Sequence, residues 1–284
     1  MKILIVGCKG MLGSELMAVF SSFQAAYETI GLDLPEIDIT QPESCRNVIE
    51  GIRPDIVVNA AAYTRVDDCE TQRDLAMSVN GAGAGNLATA AASVGALFIH
   101  YGTDYIFEGC NIEGYREDAI PNPASVYGKS KLLGEELVRR NSPEHMIIRI
   151  SWLFGVNGAN FIHTIVNAAR KGNPLRVVND QRGSPTYAKD VAGLTLQMAK
   201  AGCRGTYHVT NGGNCTWYDL AVQVVAWVKI QDIPITPVTS SEYPRPAPRP
   251  TSSILIDTRL EREGIPRLRP WQDAAREYVE RYLL

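Results

Sequence analysis

Lys2-Ile3-Leu4-Ile5-Val6-Gly7-Cys8-Lys9-Gly10-Met11-Leu12-Gly13 is the stretch that decides the fold. A short aliphatic run meets three glycines, and helical spacing begins at once, with Glu15, Leu16, Met17, Val19 and Phe20 in the segment 14–23. A buried strand feeding a helix through a glycine turn is the start of a βαβ unit. Glycine allows the tight turn and lets backbone amides approach a pyrophosphate, while the helix N-terminus adds partial positive charge. The spacing is G-x-x-G-x-x-G rather than G-x-G-x-x-G, and a plain strand-to-helix turn also favours glycine. Gly7, Gly10, Met11, Leu12 and Gly13 are the candidate phosphate-side residues.

Outward from this turn, strand-like and helix-like segments alternate. Strands are expected over 2–6, 27–32, 55–58, 96–100 and 146–150, and helices over 80–94 and 127–140. Thr40-Gln41-Pro42-Glu43 reads as a capping box that opens a further helix. Aliphatic, non-alternating strands between helices predict an α/β fold with a parallel sheet covered on both faces. After Ser151 the rhythm breaks. A helix is expected over 161–171, and residues 243–250 carry Pro244, Pro246, Pro248 and Pro250, an extended loop. We expect a nucleotide-binding domain over 1–152. A smaller, loop-rich substrate domain is expected over 153–284, with later segments free to return to the first.

Composition narrows the function. The 284 residues suit one large α/β unit or two domains at about 150 residues each. With 28 basic and 31 acidic residues the net charge is −3, which argues against nucleic acid as the main partner. No apolar run reaches the roughly 20 residues of a membrane helix, and the N-terminal run reads as a strand, not a signal peptide. The six cysteines, at 8, 45, 69, 110, 203 and 215, form neither a C-x-x-C pair nor a zinc pattern. Free thiols and a cytoplasmic location are the expectation.

Asp33 stands 20 residues after Gly13, at the end of the second strand, where a carboxylate can accept hydrogen bonds from ribose hydroxyls. It would repel a 2′-phosphate, whereas Lys9 would offset one; a turn residue before Pro35 is the simpler role for Asp33. Asp38 and Ile39 could flank an adenine, and Asn59-Ala60-Ala61-Ala62 could let backbone lie close to a cofactor or simply pack helix on sheet. Tyr127 and Lys131 stand four apart, on one helix face. A neighbouring ammonium is expected to lower the phenol pKa and tune it as a general acid. Thr103 follows a strand end, where its hydroxyl can meet a substrate carbonyl, and Asp104 comes next. His100 has no partner visible in the sequence. Arg245 and Arg249 sit on the Pro-rich loop, as a phosphate clamp or as solvated charge.

The glycine turn, Val58-Asn59-Ala60-Ala61-Ala62-Tyr63-Thr64, Thr103-Asp104-Tyr105-Ile106-Phe107 and Val126-Tyr127-Gly128-Lys129-Ser130-Lys131-Leu132 together resemble the extended short-chain dehydrogenase/reductases. Arg149-Ile150-Ser151-Trp152, the block from Asn179 to Thr186, Thr216-Trp217, Arg245-Pro246 and Arg249-Pro250 make the resemblance specific to the dTDP-4-dehydrorhamnose reductases. It implies a Rossmann-like sheet and reduction of dTDP-4-dehydro-L-rhamnose by NADPH or NADH, in a monomer or homodimer. It implies Tyr127, Lys131 and Thr103 as the catalytic trio. Gly10, Met11, Leu12, Asp33, Asp38, Ile39, Ala62, Tyr63, Thr64 and Tyr101 would line the cofactor. Thr103, Asp104 and Trp152 would face the deoxysugar, and Arg245 and Arg249 the pyrophosphate. Gly102 replaces a serine common in relatives. Glu15 matches an acidic magnesium position, but Lys189 stands at another, so no metal is expected. Another 4-keto sugar nucleotide, or a non-catalytic role like that of the methionine adenosyltransferase β subunit, are the competing readings.

Overall fold

The computed structural model describes residues 1–23 and 27–284. Five strands of the first half, β1 (Lys2–Val6), β2 (Glu28–Leu32), β3 (Ile56–Asn59), β4 (Leu97–Thr103) and β5 (His145–Ile150), build one parallel sheet. The helices between them are α1 (Met11–Ser21), α2 (Pro42–Ile52), the short α3 (Val66–Cys69) and α4 (Arg73–Ala76), α5 (Ala84–Ser93) and α6 (Val126–Asn141). The second half adds β6 (Leu153–Phe154), α7 (Phe161–Arg170), β7 (Leu175–Val178), β8 (Arg182–Gly183), β9 (Thr186–Tyr187) and α8 (Ala188–Lys200). It continues through β10 (Gly205–His208), β11 (Cys215–Thr216), α9 (Trp217–Trp227), β12 (Ile235–Val238), α10 (Thr258–Arg262) and α11 (Trp271–Tyr282).

The sheet runs β2-β1-β3-β4-β5-β10, so one strand of the second half closes its edge. Alternate residues feed opposite faces. Ile3 and Ile5 join Leu16 and Phe20 of α1 and Val191 of α8, whereas Leu4 and Val6 join Ile49 of α2, Leu87 of α5 and Val138 of α6. A separate core of α7, α9 and α11 holds the remaining second-half segments together around Ile165, Leu220 and Val279. Among the described residues no helix is long and apolar enough to cross a membrane.

Local chemistry departs from expectation at two helix starts. Gln41, not Thr40, is the N-cap of α2 and makes no side-chain cap; Pro42 opens the helix instead. The Thr40 hydroxyl is taken by Asp38 Oδ1 at 2.7 Å, so the expected capping box does not form. The helix expected over 80–94 begins with a widened π-helical turn, Met77–Gly83. There Asn80 turns inward to Tyr63 O and Ser130 Oγ. A side chain on Gly134 would lie 2.2 Å from Asn80 O, so glycine lets α6 approach this turn.

Candidate active site

Three adjoining cavities run across the carboxyl ends of the strands, the place where open α/β sheets bind ligands. The first, about 410 Å³, is lined by Gly7, Gly10, Asp33, Asp38, Ile39 and Ala60 to Ala62, among others. The second, about 400 Å³, shares Gly10, Ala60 and Ala62 with it and adds Met11, Leu12, Tyr101, Thr103, Asp104, Tyr127, Lys131 and Trp152. The third, about 370 Å³, shares Tyr105 and Trp152 with the second and reaches Trp217, Arg245 and Arg249.

The glycines divide the work of the turn. Gly7 has φ +81°, and a Cβ there would lie 2.5 Å from Ala61 N. A Cβ on Gly13 would lie 2.0 Å from Gly7 O, so Gly13 serves close packing behind the turn and lines neither of the first two cavities. A Cβ on Gly10 would meet only Gly7 O, at 3.4 Å, and the space above it is open. That open cradle at a helix N-terminus fits a pyrophosphate. Asp33 accepts the Lys9 and Leu34 amides at 3.1 and 2.9 Å, while the Lys9 ammonium turns to Leu34 O and Glu36. Tyr63 is clasped through its backbone by Asn80, and its ring packs with Cys69, Ala76 and Val126 rather than into the first two cavities. Thr64 lines the second cavity. His100, orphaned in the sequence, pairs with Asn59 at 3.2 Å, and Asn59 Oδ1 holds the Ala61 amide. Burial, then the charges of Lys131 and Arg139, hold the His100 imidazole neutral.

Ser125 caps α6 by accepting the Gly128 amide at 3.1 Å, and one helical turn sets Tyr127 and Lys131 toward the same cavity. Lys131 is buried, donates to Tyr101 O at 2.5 Å, and is pulled down to about 8 by desolvation, with Glu135 opposing the shift. Tyr127 differs from expectation. Its phenol pKa is raised, not lowered, because desolvation dominates and only the hydrogen bond with Thr103 offsets it. Tyr105 meets the Tyr127 ring edge-on at 5.5 Å. The Thr103 hydroxyl donates to Asp104 Oδ1 at 3.0 Å, and Ser151 Oγ donates to Asp104 Oδ2 at 3.0 Å.

Trp152 has left-handed backbone, φ +45°, uncommon for a bulky residue and concentrated at functional sites. Its indole stacks on Trp217 at 3.4 Å between ring centres, and Phe161 tilts against Trp217 at 4.6 Å. Arg249 and Arg245 both turn to Asp67, at 2.8 and 3.9 Å, so the strap cations face the third cavity already holding an anion. Asp67, Trp217 and Phe161 were not singled out as site residues from the sequence, although Trp217 lies in a block that carried the resemblance. Lys189 pairs with Glu277 at 2.7 Å. Glu15 carries a raised carboxyl pKa, from burial. Among the described residues no cluster of three or more metal-ligating side chains occurs.

A glycine-turn nucleotide cradle opening onto a Thr/Tyr/Lys trio at the strand ends is the arrangement of an extended short-chain dehydrogenase/reductase. A family model described as the RmlD substrate binding domain matches residues 1–284, and the chain belongs to that family. It is 42% identical to the spore coat polysaccharide biosynthesis protein SpsK of Bacillus subtilis, over 98% of this chain and 97% of that one. A dTDP-4-dehydrorhamnose reductase from Clostridium acetobutylicum superposes with a TM-score of 0.96 at 39% identity, covering 100% of both chains. The Bacillus anthracis dTDP-4-dehydrorhamnose reductase, solved in complex with NADP, superposes at 0.95 with 34% identity over 99% of both.

Proposed function

We propose that this protein reduces the C4 keto group of dTDP-4-dehydro-L-rhamnose, giving dTDP-L-rhamnose, with NADPH or NADH. The observation that carries this is the convergence of Tyr127, Lys131 and Thr103 on the cavity whose floor is the open glycine cradle. When bound, NAD(P)H supplies the hydride that C4 receives. Gly7, Gly10, Met11 and Leu12 would hold its pyrophosphate, Asp33 the adenosine ribose, and Asp38 and Ile39 the adenine side. Tyr127 gives its proton to the C4 oxygen. Burial raises its pKa and so keeps Tyr127 protonated in the resting site, and the donation relies on nearby positive charge to stabilise the phenolate left behind. Lys131 holds ribose hydroxyls and, as a cation, steadies the phenolate. Thr103 orients Tyr127 and the carbonyl, with Asp104 and Trp152 at the deoxysugar. Arg245 and Arg249 exchange Asp67 for the substrate pyrophosphate.

Cofactor oxidation with a panel of dTDP-, UDP- and GDP-linked 4-keto sugars tests this. Turnover of dTDP-4-dehydro-L-rhamnose with dTDP-L-rhamnose as product is the expected result. Tight NADPH binding without reduction of any member would contradict it.

A further inference from the structure

We propose that Asp67 is a resident counter-anion that competes with the substrate pyrophosphate for Arg245 and Arg249 and so sets how tightly substrate is held and how fast product leaves, resting on the reading that these arginines meet that pyrophosphate. The third cavity carries three guanidiniums, those of Arg176, Arg245 and Arg249, and Asp67 is the one carboxylate among the described residues that line it. Its two oxygens are divided between residues of the strap. Oδ1 accepts from Arg249 Nη2 at 2.8 Å and from the Ala247 amide at 3.2 Å, and Oδ2 lies 3.9 Å from Arg245 Nη1. Arg176 also has an acid, Glu242 at 3.3 Å, but that carboxylate is held by the Thr239 amide and hydroxyl and does not line the cavity.

A carboxylate among arginines has two opposite uses. It can hold them in place for a ligand, or it can compete with the ligand for their donors. The geometry points to competition, because each strap guanidinium has a second anchor. Arg249 Nη1 donates to Ala247 O at 3.3 Å, and the Arg245 guanidinium lies over the Tyr243 ring, 4.7 Å from its centre. Removing the Asp67 charge leaves both anchors intact.

The charges add to the argument. A pyrophosphate diester carries one negative charge on each phosphoryl group. Bound beside Asp67, it repels the carboxylate that already neutralises part of the strap. The Asp67 side chain is 28% exposed, so water takes up its charge when a ligand displaces it. The exchange sits beside the reaction centre. Val66, next to Asp67 on α3, lines the second cavity, and Tyr105 lines both cavities with its ring against Tyr127. Each turnover thus swaps one anion for another at the strap, and the return of Asp67 helps to expel the product.

Calorimetry on the full chain reads the exchange with two probes, dTDP and inorganic pyrophosphate, with NADPH saturating so that the glycine cradle is filled. Asp67→Asn keeps the size of the side chain and removes its charge. Both probes should bind this variant about tenfold more tightly, the lower side of a hydrogen bond to a charged group. Release of dTDP in stopped-flow displacement should slow by a similar factor, because affinity differences within one site lie mostly in the off-rate. Asp67→Glu keeps the charge and should stay closer to wild type than the asparagine variant. Adding Arg249→Ala to Asp67→Asn should erase the gain. Asp67→Ser gives the same reading if the asparagine variant is unstable, and a crystal structure of the wild-type protein with dTDP should show Arg249 on a phosphate oxygen and Asp67 turned away. Unchanged or weaker binding in Asp67→Asn would overturn the proposal, since Asp67 would then be holding the arginines in place. So would a gain that survives Arg249→Ala, or a dTDP complex with the contact between Arg249 and Asp67 intact. Tighter probe binding without turnover of any 4-keto sugar nucleotide would support the exchange and contradict the reductase reading; turnover without the gain would overturn the exchange alone.

Discussion

The two ends of the trough are built from different materials. The end proposed to hold the cofactor is backbone: a glycine turn, the Ala60 to Ala62 run and the amides that fix Asp33, all within the first three strands and their connections. The end proposed to hold the substrate is side chain: Trp152 on Trp217, Phe161 against Trp217, and Arg249 reaching Asp67 across 182 positions of sequence. Backbone cradles depend on glycine at fixed spacing and show themselves in a short window. Side-chain walls depend on long-range folding and do not.

Substitutions at the two ends should therefore fail differently. The largest effect is expected at the cradle. Gly10→Val places a side chain in the phosphate space, and calorimetry should show NADPH Kd raised by about 100-fold or more, about 2.7 kcal/mol. Its melting temperature should stay near wild type, since the new Cβ meets only one atom, at 3.4 Å. Gly13→Ala should invert this pattern, losing stability outright, because its Cβ would collide with Gly7 O. Equal behaviour of the two variants would break the distinction between cradle and packing glycine.

At the substrate end, Arg249→Ala should raise the sugar-nucleotide KM by about tenfold, the lower side of a hydrogen bond to a charged group. Neither NADPH Kd nor kcat should move much. An unchanged KM would return the strap arginines to the role of surface charge. The smallest effect is expected at Asp33. Removing its carboxylate in Asp33→Ala should shift the NADPH/NADH ratio of kcat/KM toward NADPH by roughly fivefold, about 1 kcal/mol of relieved repulsion in a solvated setting. Lys9 cannot dominate this ratio while its ammonium is shared with Glu36. A constant ratio would remove Asp33 as the discriminating group.

What was legible follows the same division. The parallel sheet, the glycine cradle and the Tyr127–Lys131 pair on α6 could be read because strand runs, glycine spacing and a four-residue offset are local signals. The direction of the Tyr127 shift was not legible: the Lys131 charge is visible in sequence, but the desolvation that outweighs it belongs to the assembled cavity. Nor could the Thr40 hydroxyl be assigned correctly, since Asp38, two residues back, competes for it. The Asn59 partner of His100 lies on the neighbouring strand, 41 positions away. Asp67 carries no motif; only the folded strap reveals that it neutralises Arg249.

Tyr127→Phe measures the central claim most directly, because it keeps the ring against Tyr105 and removes only the transferable proton. With dTDP-4-dehydro-L-rhamnose and NADPH, kcat should fall by roughly 10²–10⁴. NADPH Kd for the same sample should match wild type, since the cradle and Lys131 are untouched. Wild-type turnover in Tyr127→Phe would contradict proton donation by this residue, and a matching loss of NADPH affinity would contradict the separation of the two ends.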